Sequence, residues 1–396
     1  MIMEIFTKIT CISIGLISGI FGFKWAVETH TELLPAYILA SIIYIPIHTI
    51  MLSIVSKNKD RLTKIHTCNT VNIPLKFSVS IYAILIILAC LTGIIFNQIQ
   101  IYISLIALNL IFGLAQIASF IPSSKEQIHD INRFWKIQTI AGIVRFISII
   151  IFLKIFLIGF HGLLLSNISA AITLLLMYRV SLKSILIQGK ILKSFPKNLK
   201  KILSVDGFLR AVRLNLEPYS ILVLCSAIAY ASTAQIATVI LSAINYLNAT
   251  ATATRILYST IERDALYSKL NKKKHINITV QCALLCVAAI VLSYYDDLNQ
   301  IVLPTIPYSS YIFYAIAAYF LIFPITIGFG FSDYFPNNRI RSFIKLVLLQ
   351  HVIILSIIWI GAFDLLFKFK VASIIAAPIL SCVLIYVGMV LTKKSV

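Results

Sequence analysis

Negative charge is scarce in this chain. Its 396 residues hold 14 Asp and Glu against 34 Lys and Arg. Charged residues of both signs make up 12%, where a soluble domain carries about a quarter. So little charge cannot cover a soluble surface, and 60% of the residues are hydrophobic, with a mean hydropathy of +0.96. That composition is the multi-span membrane class. The few acids fall between the long apolar runs or at their ends. A proton relay of buried carboxylates needs an acid inside a span, and a carboxylate-ligated metal centre needs several. Neither is expected, so no metal and no cofactor is assigned. Glycine is sparse too, at 14. Seven cysteines (Cys11, Cys68, Cys90, Cys225, Cys282, Cys286, Cys382) show no spacing for zinc, haem or a disulfide framework. They are read as small apolar residues. The net charge of +20 does not point to nucleic acid, because the basic residues lie in short loops between apolar runs. No small-residue cleavage site precedes Lys24-Trp25, so the first apolar run is read as a span.

A hydrocarbon core of about 30 Å takes about 20 helical residues. That length predicts twelve spans, near 5–27, 33–55, 77–96, 101–121, 138–158, 162–178, 218–234, 236–259, 277–295, 309–331, 343–363 and 371–391. With the N-terminus inside, 28 of the 34 Lys and Arg fall on inside segments and only Lys368 and Lys370 outside, which sets both termini in the cytoplasm. The longest break, the basic segment Arg179–Glu217, divides the spans six and six. The expected fold is all-α: a polytopic membrane protein with about 12 transmembrane helices. They form two six-helix lobes around a central cavity. The expected divisions are an N-terminal lobe over 1–178, a basic cytoplasmic linker over 179–217 and a C-terminal lobe over 218–396. Gly15, Ser18, Gly19 and Gly22 cluster on one face of the first span, where a neighbouring helix can approach closely. Pro46, Pro324 and Pro378 fall inside spans and are candidate kinks.

One stretch organises the functional reading. In TVILSAINYLNATATATRILYS, residues 238–259, the polar residues Thr238, Ser242, Asn245, Asn248, Thr252, Arg255 and Ser259 share an arc of roughly 140°. Unpaired polar groups are costly in hydrocarbon, so this stripe is read as the wall of a wet cavity with Arg255 near one end. Three other cations fall within spans: Lys24, Arg145 and Lys154. A cationic interior suits an anionic cargo, and the planar fork of Arg suits phosphate. Lys24 and Lys154 lie close enough to span ends to snorkel. Arg145 is too deep for that and shares a face with Gln138 and Gly142, so it is expected to face protein or cavity. In a regular helix Arg145 and Lys154 point to opposite sides, so only a distorted helix brings them to one cavity. In the second span Tyr37, Ser41, Tyr44 and His48 lie within roughly 60°. His48 has two readings, a proton sensor or, more plainly, a histidine bonded to a neighbouring helix. Tyr102, Asn109, Gly113 and Gln116 align on the fourth span and suit interhelical hydrogen bonding.

The layout of six plus six spans, short outside loops, a basic central loop and intramembrane cations resembles the polysaccharide flippases. These are the O-antigen and exopolysaccharide transporters of the superfamily that also holds the multidrug extrusion and lipid II flippases. The likeness is best over IFTKITCISIGLISGIFGF at the start and YASTAQIATVILSAINYLNATATATRILYSTIERDALYSKL after the central loop. The resemblance implies a non-enzymatic transporter of the bacterial cytoplasmic (inner) membrane. Its cargo would be an undecaprenyl-pyrophosphate-linked oligosaccharide, moved by alternating access for lipopolysaccharide or related biosynthesis. Membrane lipids, a polysaccharide polymerase and a chain-length regulator would be its partners. It also implies that Lys24, His48, Asn245, Asn248 and Arg255 face the cavity. With Arg145, Tyr44, Ser242 and Thr252 these are the candidate substrate-binding residues. Two alternatives stay open. A major-facilitator exporter also has six plus six spans, and the loop SKNKDRLTKIH holds its Asp60-Arg61 pair without the glycines. An O-antigen polymerase or membrane glycosyltransferase has a similar composition but needs a large outside loop.

Overall fold

In hydrocarbon no water is present to satisfy backbone N–H and C=O groups, so each apolar run closes its hydrogen bonds internally as a helix. The computed structural model describes residues 2–56, 72–96, 99–179 and 271–294, together with Phe313 and Ala317. The expected spans near 218–234, 236–259, 343–363 and 371–391, and nearly all of that near 309–331, lie outside the described residues, as does the polar stripe of 238–259. The helices are α1 Ile2–Thr29, α2 Leu34–Ser56, α3 Asn72–Ile95, α4 Gln100–His129, α5 Ile131–Ile149, α6 Gly159–Met177 and α7 Asn271–Tyr294. Six of them, α1 to α6, contain stretches long and apolar enough to cross a membrane. Their positions follow the expected spans, but α3 starts at Asn72 rather than near 77, α4 runs on to His129 rather than ending near 121, and α5 starts at Ile131 rather than near 138. At α5 the reason is a cap: the Arg133 backbone N–H donates to the Asp130 carboxylate at 3.0 Å. α2 runs on through Pro46 without interruption.

The chain divides into two compact units, Met1–Tyr219 and Ser220–Val396. In the first, α1 packs on α5 and α6, α4 packs on α2, α3 and α6, and α5 packs on α6. Phe160 of α6 joins three helices: its ring lies 6.2 Å from Phe23 of α1 and stacks at 4.5 Å on Tyr37 of α2. α3 shows how a span divides its faces. Ser78, Val79 and Tyr82 are buried, while Ile84, Ile87, Leu88 and Leu91 are exposed on the side that suits lipid. In the second unit, α7 buries Cys282, Cys286, Ala289 and Ser293 at helical spacing.

Several hydroxyls within the spans are satisfied locally, though the buried Ser78 hydroxyl has no partner among the described residues. Ser18 donates to the Ile14 carbonyl at 2.6 Å, Ser41 to Tyr37 at 2.9 Å, Ser166 to Gly162 at 2.7 Å and Thr173 to Ser169 at 2.9 Å. Each bond runs back one turn along its own helix.

The small-residue face of α1 is only partly the packing face. Thr7, Cys11, Ile14, Ser18 and Gly22 fall within roughly 80° of one another, and this arc meets α5 and α6. The Thr7 carbonyl accepts from Thr139 at 3.5 Å, and Cys11 lies beside the Thr139 side chain. A Cβ on Gly142 would lie 3.2 Å from Ile14, and one on Gly22 would lie 2.9 Å from Leu163 and 3.1 Å from Ile149. Gly15 and Gly19 sit roughly 60–100° from the middle of this arc, beyond its edge. Among the described residues nothing lies within 4 Å of a Cβ built on either. Among the described residues the expectation of close packing holds for Gly22, Ser18 is fully buried, and no neighbour meets Gly15 or Gly19.

Candidate functional site

Of the nine candidate residues, Ser242, Asn245, Asn248, Thr252 and Arg255 lie outside the described residues. The other four fall into three groups in the N-terminal unit. Tyr44 and His48 belong to a polar seam between α2, α3 and α4. The two rings stack with centroids 5.2 Å apart. His48 Nδ1 lies 2.9 Å from the Tyr82 hydroxyl on α3, and the Tyr44 hydroxyl donates to Gln116 Oε1 on α4 at 3.4 Å. Gly113 makes room for both tyrosines: a Cβ there would lie 2.7 Å from Tyr44 Cε2 and from the Tyr82 hydroxyl oxygen. His48 is thus joined to a neighbouring helix, as its plainer reading had it. Asn109 instead returns its amide to the Leu105 carbonyl of its own helix at 3.1 Å.

This seam makes a stability prediction. Gly113→Ala forces two packed aromatic side chains apart, and overpacking of that kind costs about 1–3 kcal/mol. Tyr82→Phe removes a hydroxyl from the seam, at about 0.6 kcal/mol for an average interhelical bond in a membrane. Thermal unfolding in detergent should rank Gly113→Ala well below Tyr82→Phe. The reverse order would mean that the hydrogen bond, not the close approach, holds the seam.

Lys24 forms the second group. It is 8% exposed and pairs with Glu28 at 3.6 Å, one turn further along α1. α1 continues through Thr29, so Glu28 is part of its last turn and matches the lysine's charge. Nearby, Lys154 places its ammonium 4.8 Å from the centre of the Trp25 ring, a cation–π contact that ties α5 to α1. The helix carrying Lys154 is distorted. After Ile149 the regular α5 widens into a π-turn over Ile150–Ile155. Its longer hydrogen-bond spacing alters the direction a regular helix would give Lys154 relative to Arg145.

Arg145 stands alone. On α5 it lies roughly 50° round from Gly142 and Ile149, the residues that meet α1, and on the same face as Gln138. Gln138 donates towards Ser123 at 3.5 Å and towards the Tyr178 hydroxyl at 3.4 Å, at the ends of α4 and α6. Arg145 is therefore turned into the unit rather than towards lipid. Its Nε is buried and has no hydrogen-bond partner. Tyr37 of α2 lies within its electrostatic reach. The ion pairs among the described residues are Lys24–Glu28, His30–Glu32 and Arg133–Glu126, and none includes Arg145. Arg145 as a whole is half-buried, so its guanidinium, with no acidic partner among the described residues, has donors left for an anion.

Three groups at or near this unit's turns were not singled out from sequence. His30 bonds Glu32 and the Leu157 carbonyl, His161 Nε2 lies 2.7 Å from Ser104 Oγ, and Glu28 neutralises Lys24. Only the last had a readable signal, the spacing of four residues between opposite charges on one helix.

No family model and no curated protein matches the chain. Solved structures share its fold. The lipid II flippase MurJ in an inward closed conformation superposes with a TM-score of 0.62 at 12% identity, over 99% of this chain and 87% of that one. MATE in complex with MaD3S gives 0.51 at 11% identity, over 99% and 94%. An outward-facing multidrug resistance MATE family transporter of the MOP superfamily gives 0.50 at 12% identity, over 99% and 96%. The described elements are all helical, and the chain thus has the fold of these MOP-superfamily transporters.

Proposed function

We propose that this chain is a flippase that moves an undecaprenyl-pyrophosphate-linked oligosaccharide, an O-antigen or similar repeat unit, across the bacterial cytoplasmic membrane by alternating access. The observation that carries the reading is Arg145, an inward-turned guanidinium without an acidic partner among the described residues. A pyrophosphate is a doubly charged group whose oxygens match the guanidinium fork. The fold likeness to a lipid II flippase supports a lipid-linked cargo.

In this mechanism two six-helix lobes, linked by the basic segment 179–217, rock about a central cationic cavity. Arg255 and Arg145 take the pyrophosphate. Lys24, already matched by Glu28, adds less. The stripe of Ser242, Asn245, Asn248 and Thr252 bonds sugar hydroxyls, and the lipid tail stays in the bilayer. The protein makes and breaks no covalent bond. It hands the unit to a polymerase and chain-length regulator on the other face.

The test is complementation of cells lacking the native gene, at matched membrane levels. Arg255→Ala should leave single, unpolymerised lipid-linked units on the cytoplasmic side, and Arg255→Lys should restore part of the export. Unpolymerised units in the outer leaflet would instead make the protein a polymerase. The MATE structures favour a second reading, a small-molecule exporter. Surface polysaccharide that survives deletion of the gene would select it.

A further inference from the structure

The turn between α1 and α2 rests on the turn between α5 and α6, and one histidine joins them. His30 Nε2 lies 2.8 Å from the Leu157 carbonyl oxygen, and His30 Nδ1 meets a carboxylate oxygen of Glu32. A carbonyl only accepts, so Nε2 must carry a hydrogen. The contact between Nδ1 and Glu32 then needs one more proton, on the imidazole or on the carboxyl. Whichever atom holds it, the joined state binds one proton more than a neutral imidazole beside an ionised carboxylate.

The receiving corner is shaped for this ring. Beyond the π-turn, Leu157 takes a left-handed φ of 54° and Gly159 one of 53°. The first is strained for a leucine. A Cβ on Gly159 would lie 2.7 Å from His30 Cβ and 2.8 Å from His30 Cδ2, so glycine alone admits both the backbone and the ring.

We propose that His30 is a proton-dependent latch between the α1–α2 turn and the α5–α6 corner. It is closed while the His30–Glu32 pair holds its extra proton and released as pH rises, because the closed state binds more protons. The charged and titratable groups around it are Glu32 on its own turn, Glu28 and Lys24 on α1, Lys154 on the π-turn and His161 on α6. Glu28 is taken up by Lys24, Lys154 lies over Trp25, and His161 bonds Ser104 while still acting electrostatically on His30. Glu32 is the carboxylate in direct contact with the His30 ring. The latch rests on the N-terminal unit alone and stands whether or not the cargo is a lipid-linked sugar.

Leu34, the first residue of α2, is fully buried just past the turn and serves as the reporter. Full-length protein carrying Leu34→Cys is labelled in detergent with a maleimide, and modification at residue 34 is read by mass spectrometry. Rates are normalised to the unfolded chain at each pH, which removes the thiol's own pH dependence. The side chains of His30 and Glu32 are 37% and 67% exposed, so solvent screens the pair and the effect is modest. Normalised labelling should rise about three- to fivefold from pH 5.5 to 8.5 when His30 is present, the scale of one exposed, screened pair. His30→Gln and Gly159→Ala should label fast at both pH values. Glu32→Gln should label slowly at both, because its amide donates to Nδ1 of a neutral imidazole without an added proton. A flat profile with His30 and Glu32 in place, or a full pH response in Glu32→Gln, overturns the latch.

Discussion

Arg145→Met should leave the purified protein at least as stable and cut export by the cell severely. The stability half follows from solvation. A guanidinium near the middle of a span is disfavoured by about 2.5–3.5 kcal/mol on insertion scales. Here its Nε has no partner, and no ion pair among the described residues includes it. An unbranched apolar side chain of similar length fills the space without that penalty. The melting temperature should therefore hold or rise, with a gain of up to about 2 kcal/mol, as when buried charges give way to packed apolar residues. The transport half rests on the proposed pyrophosphate cargo. A charge-assisted hydrogen bond to phosphate contributes about 1.5–3 kcal/mol, so its loss should cut export roughly ten- to a hundredfold. Arg145→Lys keeps the charge but loses the planar fork, and should fall between. The two measurements are thermal unfolding in detergent and outer-leaflet lipid-linked sugar at matched expression. If Arg145→Met lowers both in parallel, the arginine is a structural strut and the anion site is lost.

The spans were legible because hydrocarbon imposes one rule on every segment, a length of apolar residues whose backbone bonds close internally. The six helices of the N-terminal unit sit where that rule puts them, apart from polar extensions at the start of α3 and the end of α4 and the Asp130 cap that starts α5 early. Side-chain roles were less legible, since they depend on which helix lies opposite. Tyr82 sits in an apolar run and gives no sign that it meets His48. His30 and Leu157 are 127 residues apart, and only the fold brings them together. The polar stripe of 238–259 needs a sharper reading in this light. In α1, α2 and α6, Ser and Thr bond the carbonyl one turn back, and Asn109 does the same in α4. Thr238, Ser242, Thr252 and Ser259 could be satisfied that way on any helix, so they argue weakly for a cavity. Arg255 is different. It has five N–H donors and no acceptor, too many for its own backbone to satisfy. The case for that helix rests on Arg255 first and on Asn245 and Asn248 second.

A pair of substitutions on α1 should separate folding from transport on a single helix. Gly22 meets its neighbours: a Cβ would come within 2.9 Å of Leu163 and 3.1 Å of Ile149. Ile149 is fully buried and Leu163 is 5% exposed, so neither has free space to yield into. Gly22→Leu adds four carbons at this junction, where even one extra methylene can cost about 1–3 kcal/mol. Folded protein in the membrane should fall severely. Gly19 lies less than one turn away, yet nothing among the described residues comes within 4 Å of its Cβ position. Gly19→Leu should therefore leave the melting temperature nearly unchanged. If that side of α1 lines the proposed cargo path, the leucine should still obstruct it and export should drop at least tenfold. Size-exclusion profiles and export at matched expression read the two outcomes. A folded, active Gly19→Leu variant would move the path away from α1. A misfolded one would mean that a helix packs against Gly19, and the small-residue face would then be a packing surface along its whole length.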